Sequence, residues 1–204
     1  MSPMRILVLN YEYPPLGGGA ANATAHLLRE YANMPNLEVD LITSAIGPKR
    51  VEQPWPNITM HFLDIGKKKG LHYQTNRDLL TYSYKALKYA RRLGREKAFG
   101  ICHAFFGIPC GYLARRLRMP YIVSLRGSDV PFYNPRFKWP DRLVFRRLSR
   151  KIWADSAAVV ANSLGLRDLA LKTAPQQTIA IIPNGVDTHT FQPADRIPQT
   201  GPLR

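Results

Sequence analysis

The feature that most constrains the fold is a regular alternation of short apolar runs with segments of helix-forming residues. Seven runs have the composition of buried strands, and most are followed by a helical pattern: Arg5–Asn10, Val39–Thr43, Ile58–Leu63, Gly100–Phe105, Pro120–Leu125, Ala157–Ala161 and Thr178–Ile182. Near-continuous Val, Ile and Leu in such runs are typical of parallel strands that are covered on both faces. The sequence therefore predicts an α/β fold with a doubly wound, mostly parallel, Rossmann-like sheet of about seven strands.

This pattern of strands and helices ends near residue 191. The segment 192–204 contains Pro193, Pro198 and Pro202 with few apolar residues, so it is predicted to be a linker or loose tail. We expect residues 1–191 to form one domain. In sheets of this kind ligands bind outside the carboxyl ends of the strands, so the loops that follow strands are the places to look for a site.

The charge balance is strongly basic, with 29 Lys and Arg against 14 Asp and Glu and a net charge of +15. Such an excess indicates an anionic partner, which could be nucleic acid, an acidic lipid surface or a phosphorylated substrate. No apolar run approaches the roughly 20 residues of a membrane span, and no cleavage pattern follows Met1. Cys102 and Cys110 lack the spacing of a metal site, so we expect two reduced thiols in the core and a cytoplasmic protein.

A Gly- and Pro-rich loop, Tyr13–Ala21, joins the first predicted strand to the first predicted helix. Gly17, Gly18 and Gly19 would let the backbone approach a ligand, and the helix behind them would offer free amides to an anion. A flexible turn without a ligand is the alternative. The loop lacks the G-x-G-x-x-G spacing of dinucleotide-binding proteins, and Asp40 lies inside the second strand rather than at its end, which argues against a nicotinamide oxidoreductase.

Three later loops also follow predicted strands. Arg126, in the turn that ends with Ser128 and Asp129, is a permanently charged donor for a phosphate or carboxylate and is unable to act as a base. The alternative is that Arg126 or Asp129 only braces the turn. Asn162 and Ser163 open a helix, where helix capping by Ser163 explains the residue more simply than catalysis does. The remaining two features are a turn at Asn184–Asp187 and a charged loop at Gly66–Gly70.

Five segments, in order, resemble the retaining GT-B glycosyltransferases of family 4. They are ILVLNYEYPPLGGGAANATAHLL, ICHAFFGIPCGYLA, VSLRGSDV, VVANSLGLRDLAL and IAIIPNGVDTHTFQP. The second is similar to the family's His-Ala-His strand end, and the last is similar to the join between the two lobes of these enzymes. The resemblance covers Arg5 to Pro193 and implies that the chain is the amino-terminal, acceptor-side lobe, followed by a tail towards a C-terminal lobe that this sequence lacks.

The resemblance also implies a nucleotide-sugar donor and a glycan or lipid-linked acceptor. Carried over by position, the three glycines would face the donor phosphates and the acceptor, together with Ser128, Asp129, Asn162 and Ser163. His103, at the end of the fourth predicted strand, and Arg126, where many relatives have a histidine, are the candidate catalytic residues; a histidine that is merely satisfied at a strand end is the alternative for His103.

No metal is expected, because the chain contains no Asp-x-Asp sequence. The family's basic clamp and paired glutamates belong to the other lobe. The chain alone is therefore expected to bind nucleotide sugars weakly and to show no turnover. The sequence carries no signal for an oligomeric state.

The basic residues cluster on predicted helices. Across 79–97, Leu79, Leu80, Ser83, Leu87 and Ala90 fall on one side, while Lys85, Lys88, Arg92 and Arg95 share another, which predicts an amphipathic helix with a basic stripe. Arg115, Arg116 and Arg118 end the next helix, and Arg146 and Arg147 belong to a third cluster with Arg142, Arg150 and Lys151. Two interpretations stay open: a solvated face, or a peripheral contact with anionic lipid at the inner face of the membrane. No nucleic-acid-binding motif is present. A non-catalytic module that docks on such a membrane or on a partner subunit is the alternative to a transferase.

Overall fold

The computed structural model describes residues 3–133, 144–188 and 190–192. Its centre is one sheet of eight strands within these ranges: β1 Met4–Leu9, β2 Leu37–Ile46, β3 Arg50–Trp55, β4 Ile58–Lys67, β5 Ile101–Phe105, β6 Tyr121–Leu125, β7 Ala158–Ala161 and β8 Ile179–Ile181. The spatial order is β3-β4-β2-β1-β5-β6-β7-β8. All neighbouring pairs are parallel except β3 and β4, which confirms the predicted mostly parallel sheet.

Five α-helices lie between the strands in the described ranges: α1 Gly19–Ala32, α2 Asn76–Glu96, α3 Tyr112–Leu117, α4 Arg146–Ala154 and α5 Leu164–Leu171. A wide helical turn, Gly107–Gly111, leads into α3. The tail predicted for 192–204 lies outside the described residues from residue 193 onward.

The central strand β1 shows why the sheet needs cover on both faces. Leu7, Val8 and Leu9 are each at most 1% exposed, although consecutive strand residues point to opposite faces. Burying each of these side chains contributes on the order of 2 kcal/mol to folding. The two cysteines belong to the same core as free, fully buried thiols, as expected from the sequence.

Strand β3 was not predicted. It is the antiparallel edge of the sheet, its residues are mostly exposed, and it contains Pro54 among charged side chains. Proline and charge are common on edge strands because one side of such a strand pairs with nothing. The strand therefore lacks the apolar signal by which the other seven were recognised.

The charged loop predicted at Gly66–Gly70 is wrong at its first lysine. Lys67 is the last residue of β4, and its side chain is only 5% exposed. Its Nζ donates to Asp78 Oδ2 at 2.7 Å and to the backbone carbonyl of Tyr73. Asp78 in turn completes a capping box with Thr75 at the start of α2, so a buried ion pair fixes the entry into this helix.

Helix α2 is longer than predicted, and its buried face differs. Tyr82, Ala86, Ala90 and Leu93 face the core, whereas Leu80, predicted on the apolar side, is 72% exposed. The Tyr82 ring is fully buried because its hydroxyl donates to the Ile42 carbonyl at 3.0 Å. Because its hydroxyl has a backbone partner, the tyrosine side chain can occupy the centre of the buried face of α2.

A polar network beneath α2 ties this helix to β2 and β4. Asp40 Oδ1 lies 2.7 Å from His61 Nε2, and Lys97 Nζ donates to both Asp40 oxygens at 2.8 and 2.9 Å. The second ring nitrogen of His61 lies 3.0 Å from the Tyr89 hydroxyl. Burial alone would raise the pKa of Asp40, but the hydrogen bonds from His61 and Lys97 outweigh it and lower that pKa.

We predict that Asp40→Asn lowers the free energy of unfolding by about 2 kcal/mol at neutral pH, because charge-assisted hydrogen bonds to a buried group are lost. The depressed pKa of Asp40 adds stability that is complete above its ordinary pKa of about 3.9 and is lost as the pH falls through the folded-state pKa. Urea denaturation of both proteins at several pH values should show the difference shrinking in acid.

Glu38→Gln on the same strand is the matched control. Glu38 pairs with Arg5 at 2.7 Å, but both side chains are well exposed, so this loss should cost less than about 1 kcal/mol. Equal effects of the two substitutions would show that the buried network does not stabilise the fold.

Candidate functional site

The candidate site is the crevice at the carboxyl ends of β1 and β5. From β1 the chain continues to β2 on one side, whereas β5 pairs with β1 on the other, so the strand order reverses here. Ligands of open α/β sheets bind at such a reversal, because the loops diverge and leave a crevice. The loops around it are residues 10–18, 106–111 and 126–129.

Tyr11 joins all three loops. Its ring stacks on Phe106 with centroids 4.6 Å apart, and its hydroxyl hydrogen-bonds Ser128. Burial, followed by the charge of Glu12, raises the pKa of Tyr11 far above its usual value, so the phenol stays protonated. The crevice floor is therefore a rigid aromatic surface.

The glycine loop has one constrained and two open positions. Gly17 has φ +93°, its N–H donates to the Leu71 carbonyl at 2.8 Å, and a Cβ there would lie 2.4 Å from a Glu12 oxygen. Only glycine fits this position. Around Gly18 and Gly19 a Cβ would meet nothing within 4 Å, and the Gly18 N–H points at Glu12 Oε2 at 3.4 Å. The start of α1 thus opens into free space beside a carboxylate whose pKa is raised by burial.

Asp129 braces two of the loops. Its carboxylate accepts hydrogen bonds from the backbone N–H of Gly107 at 2.6 Å, Arg126 at 2.9 Å and Gly127 at 3.0 Å. Burial raises the pKa of Asp129, and these donors oppose that rise. A side chain with its oxygens so occupied fixes the geometry of the loops after β5 and β6, which is the bracing alternative considered from the sequence.

Arg126 lies on the Phe105 ring, with its guanidinium carbon 4.4 Å from the ring centroid. Its Nη1 donates to Asn184 Oδ1 at 2.9 Å, while its Nε is buried and has no hydrogen-bond partner among the described residues. Burial lowers the pKa of Arg126, the Asp129 charge opposes this shift, and the guanidinium stays charged. The site thus holds a fixed cation with an unused donor.

His103 lies within β5, which continues for two more residues, and the ring does not stand at the strand end as the sequence predicted. Its Nε2 lies 2.8 Å from Ser124 Oγ, and its ring centroid lies 4.6 Å from that of Phe105. Burial, and then the positive charge of Arg126, lower the pKa of His103 to about 4. The imidazole is therefore neutral at physiological pH.

Asn162 and Ser163 lie at the carboxyl end of β7, two strands away from β5. Ser163 is the N-cap of α5, since its hydroxyl accepts from the Leu166 N–H at 3.2 Å. This contact accounts for the residue without a ligand.

The predicted basic patch divides into two parts. Lys85, Lys88, Arg92 and Arg95 line one groove of about 700 Å³ along α2, together with Lys49 and Tyr89. The Tyr89 ring lies between two of these cations, with Lys49 Nζ at 4.4 Å and the Arg92 guanidinium at 5.0 Å from its centroid. The described lining does not include Arg146 or Arg147, which belong to α4.

The structure resembles the lobes of known GT-B proteins. A sucrose-phosphate synthase from Thermosynechococcus elongatus superposes with a TM-score of 0.74 at 16% identity, covering 94% of this chain and 50% of that one. The catalytic domain of starch synthase IV from Arabidopsis thaliana gives 0.57 at 10% identity, covering 93% and 53%. A UDP-GlcNAc 2-epimerase from Neisseria meningitidis gives 0.54 at 14% identity, covering 87% and 45%. The chain thus spans about half the length of these proteins, and no curated protein sequence matches it.

The sheet order and the superposed structures show a Rossmann-like lobe with the GT-B fold. The model of Glycosyltransferase Family 4 matches residues 17–190, and the chain belongs to that family. The resemblance found in the sequence is thereby confirmed. Sequence reasoning missed Tyr11 and Glu12 as residues of the crevice, although both stand beside the quoted Pro-Pro turn.

We predict that His103 shows no protonation between pH 5.5 and 8, because its folded-state pKa of about 4 lies below this range. Side-chain NMR of the imidazole nitrogens should therefore detect one neutral tautomer throughout. A His103 titration near the ordinary value of about 6.5 would contradict the buried, cation-adjacent geometry.

Proposed function

We propose that the chain is the acceptor-side lobe of a nucleotide-sugar-dependent glycosyltransferase that transfers a sugar to a glycan or lipid-linked acceptor. The observation that carries the proposal is the partly exposed Arg126 guanidinium, held on the Phe105 ring at the crevice of a family 4 lobe. A fixed planar cation suits a phosphate or carboxylate of a substrate.

The proposed transfer does not depend on a side chain that acts as a general base. Transfer of a glycosyl group requires stabilisation of the departing phosphate and a held acceptor hydroxyl, and fixed donors supply both. Arg126 is the charged donor, and the open space around Gly18 and Gly19 would admit a donor phosphate, next to the turn that Gly17 shapes. His103, neutral at pH 7, acts as a hydrogen-bonding group beside the acceptor.

The remaining proposed contacts complete the crevice. Ser128 and Asp129 hold the loop after β6. Asn162 is proposed to contact a ligand from the end of β7, beside Ser163, whose hydroxyl caps α5. No metal or other cofactor is required in this proposal. The nucleotide sugar is the donor substrate.

A second lobe is required to close the site. Two large apolar side chains that follow the carboxyl ends of β7 and β8 are widely exposed: Leu164 at 60% and Ile182 at 62%. Apolar groups on this edge suit a covering domain. The chain alone, comprising domain 1–191 and the tail 192–204, is accordingly proposed to be inactive.

We predict that Arg126→Lys lowers kcat/KM at least ten-fold in the protein that includes the second lobe. Lysine keeps the charge but lacks the planar fork that can serve Asn184 and a substrate anion together. The assay is sugar transfer from a panel of nucleotide sugars to glycan and lipid-linked acceptors. Arg167→Lys, on the exposed surface of α5, is the matched control and should leave kcat/KM unchanged.

Four outcomes would count against the proposal. Turnover by the 204-residue chain alone would remove the need for a second lobe, as would micromolar binding of a nucleotide sugar to it. Wild-type activity in the Arg126→Lys protein would remove the role of the guanidinium. Conversion of a nucleotide sugar without transfer would assign an epimerase instead.

The second candidate function is a non-catalytic module that docks on an anionic membrane surface. The observation in its favour is that Tyr84, 71% exposed, lines the basic groove of α2, and that Leu80, 72% exposed, lies one helical turn before it. Apolar and aromatic side chains ringed by lysine and arginine suit the lipid interface. In the described part of the chain no helix is both long and apolar enough to cross a bilayer, so such contact would be peripheral.

We predict that the chain co-sediments with vesicles containing anionic lipid at low salt and that Leu80→Ser with Tyr84→Ser weakens this binding several-fold. The reason is that both apolar groups would leave water on docking, while screening by salt would weaken the basic residues' attraction. Val51→Ser, at an exposed apolar position on β3, is the control. If the fraction of protein that co-sediments does not depend on lipid charge or on salt, this candidate is eliminated, and with it a location at the inner membrane face.

A further inference from the structure

A second concave basic surface lies at the opposite edge of the sheet, where β6 and β7 begin. Arg115 and Arg116 end α3, Arg118 precedes β6, and Asp155 follows α4 three residues before β7. Arg91 reaches the same place from α2. These five side chains and Leu117 line a cavity of about 600 Å³, named here the arginine pocket.

The arginine pocket carries an uncompensated positive charge. Its one carboxylate, Asp155, accepts a hydrogen bond from Arg115 Nε at 2.5 Å. Arg91, Arg116 and Arg118 have no carboxylate within ion-pair distance in the described ranges. Like charges that converge on one cavity repel each other, so an anion is the partner that would offset the repulsion.

Arg118 occupies a backbone conformation that favours glycine. Its φ of 58° and ψ of 38° place it in the left-handed region where α3 ends. Glycine, or sometimes asparagine, is usual at such a helix end because a Cβ is unfavourable there. An arginine retained in a strained conformation suggests that the side chain has a use. Attraction to the helix dipole explains cations at the end of α3, but it does not explain why Arg91 arrives from another helix.

The side chains define the class of ligand. All four cations are arginines, whose planar forks bind phosphate through two hydrogen bonds at once. Several forks around one cavity suit an anion with two or more phosphate groups. The lining has one apolar side chain, Leu117, and it is only partly exposed, which favours a soluble compound over a bilayer. We propose that the arginine pocket binds a soluble anion of the pyrophosphate or bisphosphate class, at a site separate from the crevice.

The test is isothermal titration of the 204-residue chain with inorganic pyrophosphate, using Arg116→Ala and Arg118→Gly variants. Each is expected to weaken binding about ten-fold. Arg118→Gly should also unfold at the same temperature as the wild type or a higher one, because glycine relieves the left-handed strain. Loss of affinity in that variant cannot then be attributed to misfolding. Arg77→Ala, an exposed residue in the first turn of α2, is the control and should bind as the wild type does.

Two results would overturn the proposal. The first is pyrophosphate binding that is absent or equal in the wild type and the Arg116 and Arg118 variants. The second concerns binding to vesicles of phosphatidylcholine and phosphatidylglycerol. If this binding depends on Arg116 and Arg118 and pyrophosphate does not compete with it, the pocket is assigned to lipid headgroups. If pyrophosphate displaces the wild-type protein from these vesicles but does not displace the Arg118→Gly protein, the result supports a soluble ligand. None of these outcomes depends on glycosyl transfer.

Discussion

Burial of β1 on both faces is the constraint on which the other features depend. Leu7, Val8 and Leu9 are consecutive apolar residues that point to both faces of the sheet, so β1 must be covered above and below, and parallel neighbours joined through helices achieve this cover. Parallel pairing in turn gathers the carboxyl ends of seven strands at one edge. The loop after β1, which contains the glycines, therefore meets the loop of Arg126 and Asp129, although more than a hundred residues separate the two loops in the chain. The crevice is a consequence of the core, because the loops diverge only where the strand order reverses.

Electrostatics in this lobe depend on which charges are paired. Asp129 and Asp40 are buried carboxylates surrounded by donors, and both serve to hold elements together. Arg126 differs because its guanidinium is partly buried while one of its donors is unused. The cations of α2 differ again because they are exposed and concentrated along one groove. A net charge of +15 is thus distributed over surfaces with different physical roles, and the total alone cannot assign any of them.

The sequence predicted the sheet well because seven strands carry a continuous apolar signal that depends on local residues only. It missed β3, whose stability comes from pairing along an exposed edge, and it misplaced Lys67, whose burial depends on Asp78 eleven residues later. The site was predicted by position, so the loops were found but their contacts were not. That Tyr11 links three loops is set by the approach of β5 and β6 to β1, which no local pattern encodes.

The hydrogen bond between Arg126 and Asn184 has a mechanical consequence. Asn184 lies where the chain leaves β8, so the segment that departs from the sheet is anchored to a side chain 58 positions earlier. Any pull on the departing segment is transmitted through one amide oxygen to a guanidinium that rests on Phe105. The hydrogen bond that positions the Arg126 guanidinium therefore also couples its position to the path of the chain after β8.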